Sequence, residues 1–125
     1  MIRIMAEGRK ELLRRMGELG NIPSVQLLLD KDLHVEDLSD GGMGSFKIIL
    51  PIEYQGKSTG NSAIDVVSKD VDGVMLIASF FVNERGFPCE IDIWKVDFSS
   101  LVSLPMTWEI ADFPRFPGSG TGENP

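Results

Sequence analysis

The sequence contains a single cysteine and a single histidine among its 125 residues. Cys89 has no partner for an intrachain disulfide, and a chain of this length has enough core to fold without one, which favours a reducing compartment. His34 alone cannot provide a histidine-rich metal site, and any Ser-His-Asp or Cys-His arrangement would have to use it. We therefore expect no disulfide, no metal, no cofactor and no assembled catalytic group.

The chain is also short of basic residues and of long apolar runs. It has 12 Lys and Arg against 19 Asp and Glu, a net charge of -7. This charge opposes approach to nucleic acid or to an anionic membrane and fits a basic partner, although acidic surfaces are also common in proteins without one. No stretch approaches the roughly 20 uncharged apolar residues that span a bilayer, and "MIRIMAEGRKELLRRM" lacks the apolar run of a signal peptide. We expect a cytoplasmic protein.

Two helical patterns open the chain. Apolar residues of the first recur at helical spacing: Leu12, Leu13, Met16 and Leu19. Gly20 and Asn21 are expected to end this helix, and Pro23 suits the first position of a second, shorter helix. That helix should end at Asp30 to Asp32. The sequence therefore predicts two short N-terminal helices.

From Leu33 onward the apolar period changes to about two, which is typical of strands. Phe46 to Ile52 alternates, "SAIDVVS" gives a weaker strand, and "VMLIASFFVN" and "PCEIDIWKVDF" give two more. The short connections permit antiparallel pairing only. We predict an α+β domain over residues 1–117, in which the two helices pack on one face of a four- to five-stranded antiparallel meander sheet. Residues 118–125, "GSGTGENP", are expected to be a flexible tail.

The stretch "SDGGMGSF", Ser39 to Phe46, has the glycine content of an anion-binding loop. A phosphate loop needs a following helix and a lysine, whereas Gly44 is followed by Ser45 and a strand pattern. The favoured interpretation is a turn in which the glycines adopt left-handed backbone conformations. "DVDG", Asp70 to Gly73, lacks the further acidic ligands of a calcium loop and is likewise expected to be a turn.

The strand "EIDIWKVDF" carries the strongest candidate surface. Alternation places Glu90, Asp92 and Trp94 on one side, with Asp97 just beyond, and Cys89 on the other side. Two carboxylates roughly 7 Å apart along a strand could serve acid–base chemistry. They could equally form an acidic surface with an aromatic anchor for a partner, or a solvated outer face of the sheet.

Three stretches together carry a resemblance: "DGGMGS", "DVDGV" and "EIDIWKVDFSSL". The chain resembles, over about Arg9 to Pro105, a family of small uncharacterised bacterial proteins with D-G-G-M-G-S, D-x-D-G-V and E-[LI]-D-[IV]-W-K-x-D-F-S-x-L segments. The less regular "NSAIDVVSKD" departs from that pattern. The resemblance implies no established activity. In size and acidity the chain is similar to the immunity proteins that neutralise bacterial toxins, which is an analogy of class.

Three functions remain open from the sequence. The first is a non-catalytic acidic protein-binding domain, of immunity or antitoxin type, that contacts a basic toxin-like partner through Glu90, Asp92, Trp94, Asp97 and Asp40. The second is a small ligand-binding or hydrolytic enzyme in which the glycine loop and Asp40 meet Asp92 or Asp97 in a cleft. The third is a structural or homo-oligomeric accessory domain. We expect the first, and the oligomeric state stays open.

Overall fold

The structure is a computed structural model that describes residues 2–111. Its regular elements are β1 (Ile2–Ile4), α1 (Glu7–Leu19), α2 (Gln26–Leu29), β2 (His34–Asp37), β3 (Phe46–Ile49), β4 (Ser58–Lys69), β5 (Met75–Asn83), β6 (Pro88–Lys95) and β7 (Glu109–Ile110). Short 3-10 turns span Pro23–Val25 and Ile52–Tyr54. The predicted domain limit at residue 117 and the predicted tail, 118–125, lie outside the described residues.

The strands form one antiparallel sheet of seven strands in the order β1-β2-β3-β6-β5-β4-β7. The α+β class is confirmed, but the predicted number of four to five strands is wrong. The additional edge strands β1 and β7 have three and two residues, too few for an alternating pattern to be visible. The meander is confined to β4, β5 and β6, because β3 pairs with β6 and not with β4.

Two strand boundaries also differ from the prediction. β3 ends at Ile49, and Ile52 lies 81% exposed in a 3-10 turn. Pro51 has no N–H to continue the ladder, which explains the early end. The weakly predicted strand belongs to β4, which has 12 residues and two register shifts against β5.

The core lies between the helices and one face of the sheet. The buried helical residues include three of the predicted stripe: Leu12, Leu13 and Met16. They join buried strand residues in a single cluster: Val35, Phe46, Ile48, Val66, Leu76, Ala78, Phe80, Ile91 and Ile93. Trp108, in the segment that follows β6, joins this core and is 2% exposed.

The opposite face of the sheet has no helix over it within residues 2–111. Register places the following residues at its centre: Lys47 of β3, Glu90, Asp92 and Trp94 of β6, Ile77, Ser79 and Phe81 of β5, and Asp65 and Val67 of β4. We call this surface the open face. The predicted alternation along β6 is confirmed, since Ile91 and Ile93 point to the core.

A buried ion pair fixes the end of β6 to the turn between β4 and β5. Lys95 Nζ lies 2.9 Å from Asp70 Oδ2 and 2.6 Å from Asp72 Oδ2, and it donates to the Ser100 carbonyl at 3.0 Å. The side chains of Lys95 and Asp70 are completely buried. The Asp72 bond and the Asp70 charge raise the pKa of Lys95 despite its burial.

The same aspartate holds the segment that follows β6. Asp70 accepts hydrogen bonds from the Val102 N–H at 2.7 Å and from the Ser103 N–H at 3.0 Å. Burial acts to raise the pKa of Asp70, but the hydrogen bonds from Val102, Lys95 and neighbouring amides outweigh it and hold the pKa far below its usual value. Asp70 therefore remains a carboxylate in the folded chain.

Replacing Lys95 by Met should destabilise the fold strongly, because it leaves the buried Asp70 carboxylate without its cation. We expect the melting temperature to fall by roughly 10 °C or more. Thermal unfolding followed by circular dichroism checks this. Lys57→Met at an exposed lysine is the matched control and should shift the midpoint little. Equal midpoints for the two variants would contradict the structural role of the ion pair.

Candidate functional site

The glycine loop binds its own aspartate. Asp40 Oδ1 accepts the Met43 N–H at 3.0 Å, and Asp40 Oδ2 accepts the Ser45 N–H at 2.9 Å. Burial acts to raise the pKa of Asp40, but hydrogen bonds from Ser45 and the loop amides outweigh it and lower the pKa. Two amides that could have bound an anion are thus occupied by a carboxylate of the chain.

The predicted left-handed backbone of this loop is present. Gly41, Gly42 and Gly44 all have positive φ. At Gly44 the φ is 105°, so a larger residue would be strained there, and its Cβ would lie 3.0 Å from the Leu101 side chain, which would have to shift. The loop is therefore a close-packed turn.

The loop also joins the segments around it. Ser45 Oγ accepts the Ile93 N–H at 2.8 Å and donates to the Ile93 carbonyl at 3.2 Å, and the Leu101 N–H donates to Gly42 at 2.9 Å. Arg9 of α1 donates to the Gly44 carbonyl at 3.2 Å. We call the assembly of the loop (residues 39–45), the β4–β5 turn (70–74) and the segment 95–103 the junction.

On the open face, Glu90 and Asp92 stand side by side on β6. Their hydrogen bond, burial and mutual charge repulsion raise the pKa of Glu90 to about 7, while Lys47 on the neighbouring strand opposes the rise. On the adjacent strand β5, Phe81 lies opposite Glu90 and Ser79 lies opposite Asp92. Glu90 is therefore protonated in part near neutral pH, on a half-buried surface with an aromatic neighbour.

Trp94 lies next along the same strand, opposite Ile77 of β5. Its ring centroid is 6.0 Å from that of Phe98. Its Nε1 is buried and has no hydrogen-bond acceptor within residues 2–111. Trp94 thus offers a large aromatic surface beside the two carboxylates.

The structure brings three of the five predicted contact residues together. Glu90, Asp92 and Trp94 share the open face. Asp97 is exposed beyond the end of β6, where hydrogen bonds from the Ser99 hydroxyl and N–H lower its pKa. Asp40 does not join them, because its oxygens bind the amides of its own loop.

Cys89 and His34 stand on different sides of the sheet. Cys89 is half-buried against the core, and burial raises the pKa of its thiol. His34 is exposed on a strand whose core-facing residue is Val35. The two side chains do not form a nucleophile and base pair.

Three further observations concern ligands and membranes. Within the described residues, no three His, Cys, Asp or Glu side chains are grouped to hold a metal ion. No helix of residues 2–111 combines the length and apolar character needed to cross a membrane. A pocket of about 400 Å³ lies beside β4, lined in part by Lys69, Met75, Pro105 and Glu109. None of the five predicted contact residues lines it.

Sequence reasoning missed Lys95 and Asp70. The available signal was a lysine at a core-facing position of β6, where alternation from Ile91 and Ile93 predicts a buried side chain. A buried lysine requires an acidic partner, and "DVD" was the acidic turn that could supply one.

Comparison with known proteins supports a family and nothing more specific. A family model described as a domain of unknown function (DUF6984) matches residues 2–105. A search of curated proteins and a search of solved structures each found no match.

Removing the charge of Glu90 should stabilise the protein at alkaline pH. The folded-state pKa of about 7 lies above the ordinary 4.5, so the folded chain binds more protons between these values and its stability falls as the pH rises through them. Glu90→Gln removes this penalty. Because solvent screens a half-buried pair, we expect a gain of about 1 kcal/mol or less at pH 8 and little gain at pH 5.

Urea denaturation at both pH values measures this difference. Glu53→Gln, an exposed carboxylate in the 3-10 turn outside the open face, is the control and should show no such pH dependence. A Glu90→Gln effect of equal size at pH 5 and pH 8 would show that the carboxylates do not repel each other.

Proposed function

The chain belongs to the family described as a domain of unknown function (DUF6984), and we propose that it is a non-catalytic protein-binding domain whose open face captures a basic partner. The observation that carries the proposal is the contact between Glu90 and Asp92 beside Trp94 on a face without a covering helix. Such a face combines two acidic side chains with a partly buried tryptophan, and tryptophan is common at binding hot spots.

The electrostatics of the pair favour a cationic ligand. Two neighbouring carboxylates repel each other when both are ionised, and Lys47 offsets this repulsion only in part. A Lys or Arg side chain of a partner placed on Glu90 and Asp92 would favour the ionised form of Glu90 and relieve the repulsion. Trp94 would supply apolar contact area and a ring face for the same cation.

The class of partner that fits best is a basic bacterial toxin, with the chain as its cytoplasmic immunity or antitoxin protein. Support comes from the net charge of -7, which speeds encounter with a basic protein, and from the small acidic α+β fold. The signature segments around "DGGMGS", "DVDGV" and "EIDIWKVDFSSL" support a bacterial origin. The segments "DGGMGS" and "DVDGV", together with Lys95, lie in the junction. The residues of β6 that point to the open face therefore remain for recognition of a partner.

The enzyme alternative receives less support. It requires Asp40 to meet Asp92 or Asp97 in a cleft, whereas both Asp40 oxygens accept amides of the glycine loop. The pKa of Glu90, about 7, would suit a general acid or base. The pocket of about 400 Å³ beside β4 is not lined by Glu90 and so gives that role no support.

Co-expression with the products of the adjacent genes tests the proposal. We expect one neighbouring gene to encode a basic, growth-arresting protein that the wild-type chain neutralises. Glu90→Lys with Asp92→Lys should abolish the rescue and raise the Kd by at least about 100-fold, because both favourable charge contacts become repulsive. Isothermal titration of the purified pair measures the Kd.

The matched control is Asp32→Lys with Glu53→Lys, which makes the same charge change at two exposed positions outside the open face. This variant should still rescue growth. The proposal fails if both double variants lose binding equally, if the Glu90 and Asp92 variant still rescues, or if no neighbouring product is bound. A homodimer in light scattering that buries the open face would favour the accessory-domain alternative.

A further inference from the structure

A second exposed surface lies at the end of the sheet where β6 stops. Four large apolar side chains are exposed there: Val71 by 74%, Phe98 by 70%, Met106 by 67% and Val102 by 62%. We call these four residues the apolar rim. Val71 belongs to the turn between β4 and β5, and the other three follow β6.

The apolar rim is held in place by buried contacts. Val71 and Val102 both donate their N–H groups to Asp70, at 2.7 Å each, and Lys95 ties Asp70 to the Ser100 carbonyl. The Val96 N–H donates to the Met75 carbonyl at 3.1 Å, which extends the pairing of β5 and β6 towards the rim. The backbone at Val71 and Val102 is therefore held in place, with both side chains exposed.

Phe98 has a backbone conformation that glycine adopts more readily than other residues. Its φ is 63°, in the left-handed region, where a bulky residue costs about 1–2 kcal/mol. The exposed ring makes one aromatic contact, with Trp94, and the described fold gains little from keeping it there. A strained and exposed aromatic residue is typical of a binding position.

The charges around the apolar rim decide between possible occupants. Asp97, next to Phe98, and Glu109, in the adjoining pocket, are exposed carboxylates, against one exposed cation in the pocket lining, Lys69. Asp72 binds Lys95, and the group of Asp70, Asp72 and Lys95 still carries one net negative charge. Like charges would meet if a second copy docked here, and an anionic membrane would be repelled. A protein segment that carries positive charge would be attracted.

We propose that the apolar rim is a docking surface for a protein segment that presents an aliphatic or aromatic side chain flanked by Lys or Arg. The pocket of about 400 Å³ beside Met75 and Pro105 offers a recess for that side chain, and Asp97 and Glu109 receive the flanking cations. The apolar rim adjoins the open face, since Phe98 contacts Trp94 and Val67 lines the pocket. It uses neither Glu90 nor Asp92, so variants of those two residues test the proposed function separately.

A phage-displayed library of random 12-residue peptides, selected on the full chain, tests the proposal. We expect enriched peptides to combine a large apolar residue with neighbouring Lys or Arg. A synthetic peptide from the selection should bind Phe98→Gly at least ten-fold more weakly than wild type. Because glycine tolerates the left-handed φ, this variant should be no less stable, which a denaturation curve checks.

Val102→Ser provides a second variant of the apolar rim, and Ile52→Ser provides the control at an equally exposed apolar residue elsewhere. Binding that falls with Val102→Ser and not with Ile52→Ser supports the proposal. Four results overturn it: no enriched peptide, peptides without basic residues, equal binding to wild type and Phe98→Gly, or a dimer that Phe98→Gly converts to monomer. Phe98-dependent binding to vesicles of phosphatidylcholine and phosphatidylglycerol would also overturn it in favour of a membrane surface.

Discussion

The buried contact between Lys95 and Asp70 is the interaction on which the rest of the structure depends. A lysine at a core-facing position would be costly without a partner, and the two carboxylates of the β4–β5 turn remove that cost. The Val102 and Ser103 amides satisfy the remaining oxygens of Asp70. One charge pair thereby connects the last central strand, a hairpin turn and the segment that follows them.

This connection explains why the stretches that looked most like chemical sites have structural roles. Asp40 accepts hydrogen bonds from amides of the glycine loop, and the Ser45 hydroxyl binds both the N–H and the carbonyl of Ile93. The carboxylates of the β4–β5 turn hold a lysine and not a calcium ion. The surfaces left over for recognition are the open face with its Glu90 and Asp92 pair and the apolar rim around Phe98.

Local patterns predicted what depends on neighbours in sequence. The alternation from Cys89 to Trp94, the stripe from Leu12 to Met16 and the positive φ of the glycine loop all follow from short-range rules. The pairing of β3 with β6 and the contact of Lys95 with Asp70 join residues at least 25 positions apart. The spacing of residues in a single sequence does not show which of such distant segments pair. β1 and β7 are too short to show a period, and Pro51 ended β3 earlier than hydrophobicity alone indicated.

Residue-resolved hydrogen exchange tests most directly whether the junction is a cooperative part of the fold. The amides of Met43, Ser45, Val102 and Ser103 lie in loops, yet each donates to a buried or half-buried carboxylate. We predict that they exchange only with opening free energies close to that of global unfolding. Exchange of these four amides at the rate of an unprotected peptide, while the amides of β5 and β6 stay protected, would contradict the account.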